Sequence, residues 1–147
     1  MTLFANIISL YKSQTLNDTP LLIKSLRLID GTNYIFDNDK PVLIHFWATW
    51  CPTCKLEASN IELMSKNFNV VTIAVDSGTD EELRIYLKEK NYSFHVVNDT
   101  NKELSQKFNI AGYPTTFIYN SDKKLIFSEV GYTSIIGLYL RVWWASF

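Results

Sequence analysis

The chain has 147 residues, 47% apolar and 20% charged, a balance carried by a single globular domain and not by a disordered chain. A net charge of -1 without a basic cluster excludes nucleic acid as the natural partner. With only two cysteines, a multi-disulfide scaffold is excluded as well, and so short a loop between them adds little stability, so the value of the pair is chemical.

Residues 1–20 form an N-terminal segment whose start, Met1 to Tyr11, is apolar but too short to span a bilayer and lacks a basic flank. Leu3, Phe4, Ile7, Ile8 and Leu10 also suit a short amphipathic helix, so a membrane-anchor remnant and an ordinary terminal helix both stand. Residues 21–147 then make one domain. From Leu21 to Phe36, two apolar runs flank Asp30-Gly31, predicting a small edge hairpin. Pro41 opens Val42 to Trp47, a continuous β-favouring run of the kind buried on both faces. After Pro52, Cys54, Ala58, Ile61 and Phe68 recur at helical spacing. Val70 to Val75 predicts a second buried strand, followed by a loop and helix cap over Ser77 to Asp80. A helix over Glu81 to Lys90, a strand over Phe94 to Val97 and a helix over Lys102 to Phe108 continue the alternation, which indicates parallel βαβ crossovers. Strands Thr115 to Tyr119 and Leu125 to Val130 form an antiparallel hairpin, and a last helix runs from Thr133 or Ser134 towards Trp144. No repeat, low-complexity segment or interdomain linker interrupts the pattern.

The cysteines fall between the first central strand and its helix, in Trp50-Cys51-Pro52-Thr53-Cys54. At a helix start, unpaired N–H groups and the positive end of the dipole favour thiolate over thiol, so Cys51 is the candidate nucleophile. Pro52 suits the first helical position, where its missing N–H is not needed. Cys54, one turn on and directed inward, is the candidate resolving thiol, and the more accessible Cys51 attacks first. Zinc and copper sites also use C-x-x-C. Structural zinc needs four ligands, and the chain adds only His45, inside the buried-strand pattern, and His95. Copper(I) can be held by two thiolates, so a copper-binding module stays open as an alternative class.

Phe46 to Cys54 resembles the active-site segment of thioredoxin-like proteins, and Lys55-Leu56-Glu57 extends it to the C-x-x-C-x-x-E form of the extracytoplasmic TlpA/ResA-type branch. Gly112-Tyr113-Pro114-Thr115 stands where that fold carries its cis-proline loop, and Gly131 where it has a glycine after the last strand. The end, from Gly131 through Gly137, Leu140, Arg141, Trp143, Trp144 and Ala145, is similar to the suppressor-of-copper-sensitivity (ScsD) group. This resemblance implies an α/β thioredoxin-like fold: a mixed central sheet flanked by helices, the N-terminal edge hairpin, and the central insertion of the TlpA-like branch. It implies a thiol–disulfide oxidoreductase acting on client protein thiols or disulfides, with a cytochrome c maturation reductase as the narrower alternative. It further implies a DsbD-like membrane reductant as electron partner, no bound cofactor or metal, and a periplasmic domain anchored to the inner membrane through its N-terminus.

Several residues take roles from the same likeness. Trp50, Pro52 and Thr53 support the cysteines, and a cis bond before Pro114 presents Tyr113 backbone groups to an extended substrate; an ordinary trans proline opening a strand is the alternative. Glu57 either modulates thiol ionisation or is a solvated helix-face glutamate. His45 occupies the strand position of a buried acid in thioredoxins, so it either exchanges a proton with Cys54 or is a hydrogen-bonded core histidine. Ser59 replaces a proline that commonly kinks this helix in relatives. Ile135 to Trp144 is apolar around nearly its whole circumference, which leaves Trp143, Trp144 and Phe147 facing a membrane interface, a protein partner or the core.

Overall fold

In the run from Val42 to Trp47, β-branched and aromatic side chains disfavour a helix and fit a pleated surface enclosed on both sides. The computed structural model, which describes residues 21, 23–36 and 39–146, makes this run the central strand β3 (Val42–Trp47), with all 6 residues buried. Strands β4 (Asn69–Val75) and β5 (His95–Asp99) extend the sheet in parallel on one side, while β6 (Thr115–Tyr119) and β7 (Leu125–Val130) extend it antiparallel on the other. The 5-stranded order is β5-β4-β3-β6-β7. Helices α1 (Pro52–Asn67) and α2 (Asp80–Lys90) make the two parallel crossovers, the short α3 (Glu103–Lys107) precedes β6, and α4 (Ile135–Ala145) closes the chain.

Alternation along β3 distributes its side chains between two cores. Leu43 and Trp47 join Ile61 and Met64 of α1, Leu83 of α2 and Leu138 and Val142 of α4 on one face. Val42, Ile44 and Phe46 join Val71, Ile73, Phe108 and Phe117 on the other. Each fully buried aliphatic side chain of this set contributes about 1.5–3 kcal/mol of apolar transfer free energy. The odd-numbered side of β3 is therefore the one against which α1 packs, and His45 lies on it.

The thioredoxin-like α/β fold is as expected, with local differences. Strands β1 (Ser25–Arg27) and β2 (Asn33–Ile35) do form an antiparallel hairpin, but it is a separate 2-stranded sheet, not an edge of the main one. Its loop is longer than a two-residue turn: Gly31 N–H donates to Leu28 O at 3.0 Å with Gly31 at φ 91, and Ile29 N–H reaches Val96 O of β5 at 2.9 Å. Helix α3 is shorter than expected because Lys102 adopts a left-handed conformation, φ 60, outside the helix. Helix α1 runs unbroken through Ser59. Residues 1–20 and Phe147 lie outside the described residues, as do the expectations placed on them.

Candidate active site

At the end of β3 the chain turns through Ala48–Trp50, closed by Cys51 N–H donating to Ala48 O at 3.3 Å. Cys51 is the N-cap of α1 in extended conformation, Pro52 follows in the first turn, and Cys51 Sγ accepts the Cys54 N–H at 3.1 Å. No acidic side chain stands in that first turn, so the sulfur has the positive helix end to itself. Cys51 and Cys54 are joined as a disulfide with Cα atoms 5.2 Å apart, and Thr53 lies half-buried between them. The expected difference in access is small in this state: Cys51 is 6% exposed and Cys54 3%. The asymmetry is instead positional, with Cys51 outside the helix and Cys54 inside its first turn facing the sheet.

Because Phe46 pairs with Thr115, the residues preceding β6 lie beside those following β3. The bond between Tyr113 and the buried Pro114 is cis, and Pro114 O accepts from Gly131 N–H at 2.7 Å. Trp50 is half exposed, meets Tyr113 edge to face at 5.6 Å between ring centroids, and donates its indole N–H to Asp76 O at 3.0 Å. Burial raises the Tyr113 phenol above its ordinary value.

His45 is buried on β3, and its Nδ1 lies 2.9 Å from Thr116 Oγ1 on the paired strand β6. Desolvation lowers its pKa to about 3, so the imidazole is neutral. Together with Trp47, Cys54, Ala58 and Ile61 it lines a small cavity behind the disulfide. The Trp47 indole N–H has no partner among the described residues.

Glu57 is not a solvated helix-face residue, because it is fully buried where α1 meets the approach to α4. Desolvation raises its pKa to about 8, Thr133 N–H donating to Oε1 at 3.0 Å opposes that, and the Glu129 charge adds to it. Glu129 in turn accepts from Thr133 Oγ1 at 2.6 Å and pairs with Arg141 at 2.7 Å.

Sequence reasoning assigned no role to Thr116, Thr133 or Asp76 and Ser77. Those last two stand at the carboxyl end of β4, next to the carboxyl end of β3, and adjacency of parallel strand ends was the available signal. Among the described residues no group of three or more His, Cys, Asp or Glu side chains could hold a metal ion, and His95 lies exposed beside Tyr34. On α4, Leu138, Val142 and Ala145 are buried, whereas Ile136, Leu140, Trp143 and Trp144 are exposed. No helix among the described residues is long and apolar enough to cross a membrane.

Comparison with known proteins agrees with this geometry. The sequence profile of the AhpC/TSA family matches residues 25–128. A thioredoxin-like protein of Haemophilus influenzae is 34% identical over 112 residues, covering 76% of this chain and 66% of its own length. The thiol-disulfide oxidoreductase ResA of Bacillus subtilis is 31% identical over 91 residues, covering 59% of this chain and 51% of its own length. The chain thus spans between about half and two thirds of these relatives. A solved thiol:disulfide interchange protein of the thioredoxin family from Chlorobium tepidum superposes with a TM-score of 0.75 at 26% identity, covering 88% of this chain and 97% of that one.

Proposed function

The chain belongs to the AhpC/TSA family, and we propose that it is a thiol–disulfide oxidoreductase exchanging electrons with client protein thiols or disulfides through Cys51 and Cys54. One observation carries this reading: a disulfide links the N-cap and first turn of α1, where a helix end stabilises thiolate. In the reducing direction, Cys51 thiolate attacks a client disulfide, forming the Cys51–client bond and expelling the other client sulfur as thiolate. Cys54 thiolate then attacks Cys51 Sγ, closing the Cys51–Cys54 bond and releasing the second client thiolate. Two electrons pass to the client, its thiolates take up two protons, and the oxidising direction is the reverse. No cofactor enters either step.

Trp50 and Tyr113 flank the pair, and the Tyr113–Pro114 loop offers backbone to an extended client segment. Glu57 remains protonated near neutral pH and keeps negative charge away from the thiolates. His45 stays neutral, because a pKa near 3 makes it a poor store for a thiol proton. The finer parts of the reading rest on resemblance: a DsbD-like membrane reductant, a periplasmic site of action, an inner-membrane tether through the N-terminus, and kinship with the ScsD group.

Turnover of insulin disulfides tests the proposal, with activity expected from the wild type and none from Cys51→Ser. Cys54→Ser accumulates mixed disulfides through Cys51. Tight stoichiometric copper(I) binding under anaerobic conditions without any disulfide turnover would overturn it. Equilibration with glutathione then fixes the direction, ~30 mV corresponding to about 1.4 kcal/mol.

A further inference from the structure

The approach to Cys51 is held by a loop from a different strand. Thr49, two residues ahead of the nucleophile, has left the β3 ladder, and its N–H donates to Ser77 Oγ at 3.0 Å. The Ser77 hydroxyl proton is itself committed to Val75 O at 2.9 Å, so the oxygen lone pair is fixed towards Thr49. Ser77 is 9% exposed, and water has little access to replace it. The preceding residue, Asp76, takes a left-handed conformation at φ 49, and its carbonyl accepts the Trp50 indole N–H. Two consecutive residues of one loop therefore hold the two residues immediately before Cys51, one by backbone and one by side chain.

The loop has its own anchor. Asp76 N–H donates to Asp99 O at 3.4 Å, and Lys102 N–H to the same carbonyl at 3.2 Å. The Asp99 carboxylate caps α3 through Leu104 N–H at 3.0 Å and Ser105 N–H at 2.9 Å. A continuous chain of hydrogen bonds thus runs from the β5–α3 unit through Asp76 and Ser77 to the turn that presents the nucleophile.

We propose that Ser77 is a positioning residue for Cys51: its hydroxyl fixes the Ala48–Trp50 turn and thereby the place of the sulfur at the end of α1. The thiolate's stabilisation depends on that placement, because the helix-end field decays within the first turn. The inference rests on the oxidoreductase reading for its biological use, but its test does not.

The reduced protein is alkylated with iodoacetamide across pH, following Cys51 by mass spectrometry, with thermal unfolding recorded alongside. In Ser77→Ala the Cys51 profile is expected to move to higher pH, with alkylation at pH 7 slower by about threefold to tenfold, the worth of one hydrogen bond. Ser77→Thr, which keeps the hydroxyl, is expected to restore the wild-type profile. A Ser77→Ala profile that coincides with wild type, or a Ser77→Thr profile displaced as far as Ser77→Ala, overturns the proposal. Amide hydrogen exchange in the unaltered protein gives a check that needs no folded variant: Thr49 N–H is protected if Ser77 holds it, and exchange at the rate of an open loop overturns the assignment. A displaced Ser77→Ala profile in a protein that turns over no disulfide would uphold the positioning and remove the oxidoreductase reading alone.

Discussion

His45 lies on the strand behind α1 and Glu57 on α1 itself, on its flank towards α4, and burial treats them in opposite ways. Taking an imidazolium out of water lowers the His45 pKa to about 3, and taking a carboxylate out of water raises that of Glu57 to about 8. Each side chain is therefore neutral near neutral pH. Their partners differ as well: Thr116 meets His45 Nδ1 across the β3–β6 ladder, whereas Thr133 offers a backbone N–H to one Glu57 oxygen and the other has no partner among the described residues. One titratable group on α1 and one on the strand behind it are thus held neutral near neutral pH, at the expense of pH-dependent stability.

The signs of that dependence are opposite and separable. His45 has a lower pKa folded than its ordinary 6.5, so the unfolded chain binds the proton first. Its contribution is complete above pH 6.5 and is lost as pH falls towards 3, at about 1.4 kcal/mol per pH unit and about 5 kcal/mol in all. Denaturant unfolding of the oxidised protein is expected to show this acid flank, and His45→Phe is expected to flatten it. Rapid-quench kinetics of the reduced His45→Phe protein should show formation and resolution of the mixed disulfide changing in parallel; selective slowing of resolution would make His45 a proton carrier.

Glu57 has a higher pKa folded than its ordinary 4.5, so its contribution is complete below pH 4.5 and is lost as pH rises towards 8. By pH 7 the loss is about 3 kcal/mol. Glu57→Gln is expected to remove the alkaline flank, making the oxidised protein more stable than wild type at pH 7 to 8. Between pH 4.5 and 6.5 the two slopes cancel, giving a plateau in wild type that either substitution tilts. A wild-type profile lacking both flanks would mean that these groups ionise freely.

The smallest effect isolates the partner and not the charge. Thr116→Val removes the hydroxyl facing His45 Nδ1 while keeping the β-branched shape, and leaving that buried nitrogen without a partner costs about 1–3 kcal/mol at pH 7. Chemical unfolding measures it. A loss below about 0.5 kcal/mol would show that His45 finds another partner, making His45 and Glu57 less alike in their reliance on one hydrogen bond.

Local patterns in the chain were enough for the β-α-β alternation, the C-x-x-C pair after a buried strand, Pro52 in the first turn and a helix cap within Ser77 to Asp80, which the structure places at Thr79. Each depends on residues within one turn or one strand of one another. Hydrophobic period also placed His45 inside a strand, but not which partner it would meet, because Thr116 arrives on β6 across 71 residues of chain. Glu57 was legible only as a helix residue near the pair. Its raised pKa depends on burial where the approach to α4 closes over α1 and on the nearby charge of Glu129, with the Thr133 N–H opposing the rise. The hairpin was visible, whereas its separation from the main sheet, which it meets through the backbone bond from Ile29 in its loop to Val96 of β5, was not. Ser77 makes the same point at the active site. Sequence spacing identifies a loop after β4, but only parallel pairing of β3 with β4 brings that loop to Thr49, since hydrogen bonding between distant segments is decided by sheet order and register.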